Sequence, residues 1–322
     1  METIDQGPAR RTIVVVGASR SGTSVAARAL KTLGVDLGDR LRKPSWRNPR
    51  GFYEHRGLLD LSARLRRSVG LGPHSVALIE PERWRRPKVQ ALGQEAAEII
   101  RRHFGASPLW GFKDGRTLRM LPFWEEVFAT LGLDVHYLLA VRNPLSVAWS
   151  RLRLEDRKPF TRRLTREHWE LLWLVYVVPY FRRLGTRPLV VVDYDRIMAA
   201  PEAELDRIAR ALKLPPPTPA DASVREFADG FLSARLRHSR FTVEDLARDA
   251  HFSSLTPSAY RWLRRLASDE IGADEPTLWR EWRDLEAELG ELAPLLGDID
   301  RRNRGLHGVR FNPGALLHRL AG

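Results

Sequence analysis

Residues 11–34 read RTIVVVGASRSGTSVAARALKTLG and set the architecture of the chain. The part up to Gly17 is rich in β-branched residues and ends in glycine, which is typical of a buried parallel strand. From residue 24 onward, apolar residues recur at helical spacing until Gly34, a natural helix terminator. The sequence therefore predicts a strand, a glycine-containing loop and a helix.

Similar units recur along the chain. Strand patterns occupy residues 108–114, 135–142 and 188–194. Helical patterns occupy residues 57–69, 88–104, 120–131, 144–155, 166–184 and 202–213. Strands that alternate with helices predict an α/β fold, here a P-loop-containing three-layer α/β/α arrangement around a central parallel sheet.

The proline-rich run PPPTP at residues 215–219 interrupts this alternation. A linker between two domains is one interpretation, but the segments after it are short and helical, which favours a helical C-terminal extension of the same core. These segments lie around residues 222–229, 242–249, 256–270 and 277–291. We expect one domain over residues 1–322, with an α/β core at about 10–214 and a helical part at about 220–322.

The composition is that of a globular, basic chain. Of its 322 residues 43% are apolar, and 53 lysines and arginines face 40 aspartates and glutamates, a net charge of +13. Lysine occurs only at positions 31, 43, 88, 113, 158 and 213, so the charge is almost wholly arginine. Such a balance suits nucleic acid, an anionic surface or an acidic small ligand, or it reflects GC-rich coding alone.

Other features bound the class of protein. With no cysteine, the chain has no disulfide, thiolate nucleophile or cysteine-ligated metal site. The amino terminus has no apolar run, and the longest such run, residues 171–178, is far shorter than the roughly 20 residues of a membrane helix. We expect no membrane span and a cytoplasmic location.

The loop after the first strand, GASRSGTS at 17–24, has the small residues of a phosphate cradle. Backbone N–H groups and the hydroxyls of Ser21, Thr23 and Ser24 can converge there on an anion at a helix N-terminus. An ordinary tight turn is the alternative. A nucleoside-triphosphate loop would need lysine directly after Gly22, whereas Thr23 stands there and the loop's cation is Arg20.

A second motif, RNPLSVAWS at 142–150, follows another predicted strand. Asn143 can cap the next helix and Pro144 suits its first turn. Arg142 and Ser150 can then converge at the carboxyl edge of the sheet as a second anion site. Two anion sites predict a ligand with two phosphate groups.

One feature keeps a different enzyme class open. The strand VVVD ends at Asp193, which could imitate the magnesium-binding carboxylate of nucleotide-triphosphate enzymes. A P-loop small-molecule kinase that uses ATP and magnesium is therefore the alternative function. A strand that ends in a polar residue explains the pattern as well.

The two motifs, in this order and each after a strand, resemble the sulfotransferases that use 3′-phosphoadenosine 5′-phosphosulfate (PAPS). Residues 191–201 are similar to that family's Tyr-Glu-x-Leu…Asp-Pro segment, with Asp195 in the glutamate position. The resemblance covers about residues 11–213. It implies that Arg142 and Ser150 bind the 3′-phosphate and that the first loop binds the 5′-phosphosulfate through Arg20, Ser21, Gly22, Thr23 and Ser24.

The resemblance also points to catalytic cations. Arg20 stands where many members have a lysine, which implies that it stabilises charge on the leaving group. Lys113, in GFKDGRT at 111–117, lies in a segment similar to the Lys-Asp-Pro-Arg motif of bacterial members, with Gly115 in place of proline. Asp114 and Arg116 could orient Lys113, or form a structural ion pair at the strand end.

For the catalytic base the candidate is Glu54. Its segment, NPRGFYEH at 48–55, is similar to the Asn-Pro-x-Gly-aromatic-x-Glu stretch of bacterial carbohydrate-type members, in which the glutamate lies beside the acceptor hydroxyl. His55 is the rival base. Sulfuryl transfer needs in-line attack, cations and a base, and it requires no metal.

The resulting hypothesis is a sulfotransferase that moves the sulfuryl group of PAPS to a hydroxyl of a carbohydrate or small metabolite and releases adenosine 3′,5′-bisphosphate. A nucleic-acid binder is the third hypothesis, and we rank it behind both enzymes because the special residues concentrate in two strand-to-helix corners.

The basic segments 235–241 and 301–305 could close over the nucleotide or bind an anionic acceptor, or remain solvated. Trp46, Trp149 and Trp169 could stack on adenine or a sugar, or pack in the core. The acceptor and the oligomeric state stay open.

Overall fold

The fold is built on a parallel sheet of four strands. The computed structural model describes residues 10–46, 48–156, 164–232 and 241–308, with side chains to residue 303. The strands are β1 (Arg11–Val16), β2 (Leu109–Lys113), β3 (Asp134–Val141) and β4 (Leu189–Asp193). Their order across the sheet is β2-β1-β3-β4, and every pairing is parallel. All four predicted strands and the parallel sheet are confirmed.

Helices cover both faces of the sheet. Their bounds are α1 (Thr23–Thr32), α2 (Arg56–Ser68), α3 (Pro87–Phe104), α4 (Leu121–Thr130), α5 (Pro144–Asp156), α6 (Arg166–Leu184), α7 (Tyr194–Ala199), α8 (Pro201–Ala211), α9 (Ala222–Arg225), α10 (Val243–Arg248), α11 (Leu255–Ala267), α12 (Pro276–Glu291) and α13 (Ala293–Gly308). Short 3₁₀ turns lie at Pro81–Arg85 and Thr117–Met120, and a wider π turn, Glu226–Phe231, continues α9.

The alternation of β1 explains the three layers. Val14 and Val16 point into one apolar cluster, shared with α2 to α6 and the C-terminal helices α10 to α13. Ile13 and Val15 point into the other cluster, shared with α1, α8 and the segment around Phe227. Because side chains alternate along a strand and both sides of β1 are covered, the sequence here is a continuous apolar run.

The C-terminal helices pack on the sheet layer through buried polar contacts as well as apolar ones. Trp282 Nε1 donates to the carbonyl of Val178 on α6 at 3.0 Å. Buried Glu170, also on α6, accepts from the backbone N–H of Ser253 at 2.7 Å and from the Thr256 hydroxyl at the start of α11. These contacts join the C-terminal helices to α6, and one domain over residues 1–322 stays a prediction. None of the helices within the described ranges is long and apolar enough to cross a membrane.

Candidate active site at the carboxyl edge of the sheet

A cavity of about 680 Å³ lies at the edge where the strands end. Each strand is followed by a segment that lines it: the first loop after β1, Lys113 at the end of β2, Arg142 after β3 and Tyr194 after β4. In a parallel sheet all carboxyl ends meet at one edge, which is where α/β proteins bind their ligands. The topology therefore brings motifs more than a hundred residues apart into one cavity.

Gly22 lets the backbone of the first loop approach the side chain of Tyr194 closely. Gly22 adopts a φ of 89°, and a Cβ atom there would lie 2.6 Å from Cδ2 of Tyr194. α1 begins at Thr23, and no described side chain caps its first turn at Gly22. The first backbone N–H groups of α1 are therefore available to an anion.

Arg20 joins the first loop to the second motif. It adopts a φ of 77°, and its Nε donates to Ser150 Oγ on α5 at 3.0 Å. The guanidinium of Arg142 lies 4.5 Å from the ring centre of Tyr194. Burial lowers the pKa of Arg20, and the charge of Arg142 lowers it further, with Tyr194 acting in the opposite direction. Two cations thus lie near each other in this part of the cavity, and a bound anion would reduce the repulsion between them.

Glu54 and Lys113 form a buried ion pair that also lines the cavity. Lys113 Nζ lies 2.8 Å from Glu54 Oε1, and Arg42 lies 3.1 Å from Glu54 Oε2. Lys113 also donates to the Phe52 carbonyl at 3.2 Å and to Ser24 Oγ at 3.4 Å. Through Lys113 the carboxylate is connected to the first loop, so Glu54 and the anion cradle share one hydrogen-bonded network.

Most predicted site residues meet in this cavity. Those that line it are Arg20, Gly22, Thr23, Ser24, Glu54, Lys113, Arg142 and Ser150. Ser21 does not: its side chain is buried, and its hydroxyl has no hydrogen-bond partner among the described residues. Ser21 therefore belongs to the floor of the loop rather than to the wall of the cavity.

The rival base, His55, lies outside the cavity lining. Its buried ring packs 4.8 Å from the ring of His103 and 5.4 Å from that of Phe104. Burial, with the charge of His103 acting in the same direction, lowers the pKa of His55 to about 4. Its surroundings are those of a neutral core histidine.

Asp114 and Arg116 form the ion pair that the sequence left as an alternative, with Arg116 3.2 Å from Asp114. Burial raises the pKa of Asp114, the charge of Arg116 opposes this, and the charge of Glu54 adds to it. Both residues also line the cavity. The pair is structural in its contacts, yet Arg116 contributes charge to the cavity wall.

Asp193, the carboxylate on which the kinase alternative depends, is fully buried. It caps α7 by accepting from the backbone N–H groups of Asp195 and Arg196, at 2.8 and 3.1 Å. The hydroxyl of Tyr260 donates to it at 3.2 Å. Asp193 lies outside the cavity lining and serves as a helix cap that also binds α11.

The sequence analysis missed several lining residues. Tyr194 immediately follows β4, a position at the sheet edge that could have identified it. Asn48 donates to Ser24 Oγ at 3.2 Å, and it was quoted only as part of the Glu54 segment. Others belong to helices and loops with no local signal, namely Arg42, Arg50, Arg66, Arg151 and Arg153.

The three tryptophans differ in position. Trp46 is exposed and lines the cavity. Trp149 is partly exposed and stacks on Phe241 with ring centres 6.4 Å apart. Trp169 is buried, which matches core packing. Of the two basic segments, residues 235–240 lie outside the described part of the chain, and so do the side chains beyond residue 303.

Solved structures are similar to this chain at low identity. A sulfotransferase domain from the Synechococcus PCC 7002 olefin synthase is 16% identical, covers 92% of this chain and 98% of its own, and has a TM-score of 0.41. The sulfotransferase STF1 from Mycobacterium tuberculosis H37Rv is 15% identical, covers 76% of this chain and 77% of its own, and has a TM-score of 0.43. A sulfotransferase domain from the curacin biosynthetic pathway is 17% identical, covers 87% of this chain and 97% of its own, and has a TM-score of 0.41. These likenesses carry no part of the assignment below.

The assignment comes from the sequence itself. A family model described as "Sulfotransferase family" matches residues 12–218, more than half of the chain. Among curated proteins, no sequence matches. The matched region includes every predicted site residue and the whole sheet except Arg11, the first residue of β1. The chain therefore belongs to the sulfotransferase family and is an enzyme of sulfuryl transfer.

Proposed function

We propose that this enzyme transfers the sulfuryl group of PAPS to a hydroxyl of a carbohydrate or small metabolite. One observation carries the proposal: a single cavity is lined by the first loop, by Arg142 and Ser150, and by the Glu54–Lys113 pair. Such a cavity has two cationic positions for a nucleotide with two anionic ends, and a carboxylate beside them.

The donor end fits a bisphosphorylated nucleotide. Gly22 leaves room beneath Tyr194 where a Cβ atom would clash, and no described side chain caps α1 at Gly22. Arg20 and Arg142 are close enough for the charge of Arg142 to lower the pKa of Arg20. The first loop would hold the 5′-phosphosulfate, and Arg142 with Ser150 the 3′-phosphate. When bound, PAPS supplies the sulfuryl group, and adenosine 3′,5′-bisphosphate is the leaving group.

Glu54 is the proposed general base. Its carboxylate would accept the proton of the acceptor hydroxyl as the oxygen of that hydroxyl forms its bond to sulfur. Lys113 and Arg42 hold the two carboxylate oxygens in fixed positions, at 2.8 and 3.1 Å. The acceptor hydroxyl must therefore approach the remaining lone pairs of Glu54, a requirement that restricts its direction of entry.

Arg20 and Lys113 are the proposed electrophilic groups. The Arg20 side chain is fixed by Ser150, so its remaining N–H donors can point toward the charge that develops on the leaving oxygen. Lys113 contacts both Glu54 and Ser24, so it can stabilise negative charge between the base and the loop. Both groups are pre-positioned by hydrogen bonds before any ligand enters.

Two aromatic residues support a ring-shaped acceptor. Trp46 is exposed at the cavity, and Phe52 lies beneath the Arg42 guanidinium at 3.9 Å, within the segment that carries Glu54. Aromatic faces of this kind bind the apolar faces of sugar rings. A carbohydrate or a cyclic metabolite is therefore the acceptor class that we favour.

The test is a transfer assay with ³⁵S-labelled PAPS and a panel of sugar, phenol and tyrosyl-peptide hydroxyls, run beside γ-³²P-ATP with magnesium. We expect ³⁵S product with at least one sugar or small-molecule acceptor, no dependence on added magnesium, and no ³²P product. Magnesium-dependent ³²P transfer without ³⁵S transfer would establish the kinase alternative. Exclusive labelling of tyrosyl peptides would overturn the acceptor class.

A further inference from the structure

The cavity carries more positive charge than a nucleotide donor can neutralise. Among the described residues, nine cationic side chains and two carboxylates, Glu54 and Asp114, line it. A donor with one terminal phosphate, one bridging phosphate and one sulfate brings about four negative charges. A surplus of about three positive charges then remains in a partly enclosed space, where charges are weakly screened.

The positive side chains of the lining differ in their partners. Arg42 and Lys113 pair with Glu54, Arg116 pairs with Asp114, and Arg20 and Arg142 belong to the donor end. The remaining cations of the lining are Arg66 on α2, Arg151 and Arg153 on α5, and Arg50. Arg151 lines a smaller adjoining pocket with Pro73 and Tyr176, and Tyr176 is close enough to Arg66 to act on its pKa. We call Arg66, Arg151, Pro73, His74 and Tyr176 the arginine wall.

Arg66 shows the imbalance most directly. It is half-buried, and it donates a hydrogen bond to a neutral group, the carbonyl of Leu71, at 3.0 Å. Among the described residues no carboxylate lies within ion-pair distance of Arg66. Burial lowers its pKa, the charges of Arg116, Arg67 and Arg119 act in the same direction, and Tyr176 opposes them. A cation held among cations at a cavity surface is a position that an anion would stabilise.

The rest of the chain offers little to neutralise this wall. In sequence, the residues outside the described ranges contain only two carboxylate side chains, Glu2 and Asp5, and both precede β1. The segments 157–163 and 233–240 contain arginine or lysine and no acidic residue. Those two segments therefore bring no acidic side chain to Arg66.

We propose that the acceptor is itself anionic, and that the arginine wall binds a carboxylate, sulfate or phosphate group on it beside the hydroxyl that is sulfated. This inference deepens the proposed function and rests on it, because the wall lies in the same cavity as Glu54. Arg66 is the central anion ligand, and Arg151 lies on the adjoining helix α5. The class is an acidic sugar or an acidic metabolite in preference to its neutral counterpart.

The experiment compares two probes that differ by one carboxylate, 4-nitrophenyl β-D-glucuronide and 4-nitrophenyl β-D-glucoside. Each is titrated into the full chain with and without saturating adenosine 3′,5′-bisphosphate, at moderate salt, and binding is followed by calorimetry. We expect the glucuronide to bind about tenfold to a hundredfold more tightly than the glucoside, the range of a charge-assisted hydrogen bond.

Arg66→Gln should abolish that preference and keep the fold. The matched control is Arg67→Gln, an exposed arginine on the same helix that does not line the cavity, and it should keep the preference. Equal binding of the two probes, absence of binding by the glucuronide, or a preference that survives in Arg66→Gln would each overturn the anionic subsite. Failure of the bisphosphate to bind, with the glucuronide preference intact, would instead contradict the donor assignment alone.

Discussion

At the scale of single residues, the proposed chemistry depends on Glu54, whose carboxylate pairs with both Lys113 and Arg42. We expect Glu54→Gln to lower sulfuryl transfer by about a hundredfold or more, because an amide cannot accept the proton of the acceptor hydroxyl. Affinity for adenosine 3′,5′-bisphosphate should be unchanged, since Glu54 contacts the donor loop only through Lys113. Initial rates of ³⁵S transfer and calorimetric titration measure the two effects.

The control for that variant is its melting temperature. Glutamine leaves buried Lys113 without its carboxylate, which destabilises a fold when the lysine stays charged. Rates are therefore compared at a temperature where both proteins are folded. Near-normal turnover of folded Glu54→Gln would contradict the assignment of the base.

His55 gives a pH prediction of defined sign. Its pKa is about 4 in the folded protein, against about 6.5 in an unfolded chain, so protonation favours the unfolded state. The stability that depends on neutral His55 is fully present above pH 6.5 and is lost as the pH falls from about 6.5 toward 4. Urea unfolding across that range should show a shallower loss of stability in His55→Gln than in the wild type. Parallel curves would contradict a buried neutral histidine.

The positions of residues at the cavity were predictable where a motif carried them. Arg20, Arg142, Ser150, Lys113 and Glu54 were all predicted as site residues, and all of them line the cavity. Ser21 was expected among the ligands because of its hydroxyl, but side-chain direction within a loop depends on backbone angles that a sequence does not specify. The arginine wall went unnoticed because arginine is common throughout this chain, so no local signal marks Arg66.

At the scale of elements, the turn from β1 into α1 is the most constrained. Gly22→Ala should weaken binding of adenosine 3′,5′-bisphosphate by about tenfold or more, because the residue has a φ of 89° and the new methyl group would lie 2.6 Å from Tyr194. The measurement is calorimetric affinity. Gly132→Ala is a matched control: its φ is also positive, at 61°, but its Cβ position is open and far from the cavity.

If both alanine variants keep wild-type affinity, the close packing of Tyr194 on the loop has no part in nucleotide binding. If both lose it equally, the effect is one of backbone strain and general stability. Only a selective loss in Gly22→Ala agrees with a cradle shaped for an anion.

Element boundaries followed the sequence closely because apolar periodicity and capping residues are local signals. The helix expected at 166–184 is α6, and the strand expected at 135–142 is β3, shifted by one residue. The helix expected at 222–229 instead divides into α9 and the π turn at Glu226–Phe231. A change of helical pitch here depends on how Phe227 and Phe231 pack in the second apolar cluster. The local sequence pattern does not specify that packing.

At the scale of the whole molecule, α13 contacts the segment that follows Pro73 and His74. Buried Asp300 accepts from the backbone N–H groups of Val76 and Ala77, at 2.8 and 3.2 Å. Only Ser75 separates Val76 from Pro73 and His74, which belong to the arginine wall. The helical C-terminal part thus fixes one side of the proposed acceptor site, in agreement with our proposal that residues 1–322 form one domain.

Asp300→Asn should lower the melting temperature in a single cooperative transition, because one buried N–H group loses its acceptor, at about 1–3 kcal/mol. It should also weaken binding of the anionic acceptor probe while adenosine 3′,5′-bisphosphate binds normally. The control is Asp298→Asn, whose carboxylate is partly exposed and pairs with Arg301 and Arg302 on the same helix. Two separate melting transitions would contradict the single-domain proposal.

The measurement that tests the donor assignment most directly is calorimetric binding of adenosine 3′,5′-bisphosphate, ADP and ATP at moderate salt, with and without magnesium, to the wild type and to Arg142→Ala. We expect micromolar, magnesium-independent affinity for the bisphosphate and weak binding of ADP. Arg142→Ala should lose about 1.5–3 kcal/mol for the bisphosphate alone. A magnesium-dependent preference for ATP, or bisphosphate affinity unchanged in Arg142→Ala, would contradict a donor site built from the two strand-to-helix motifs.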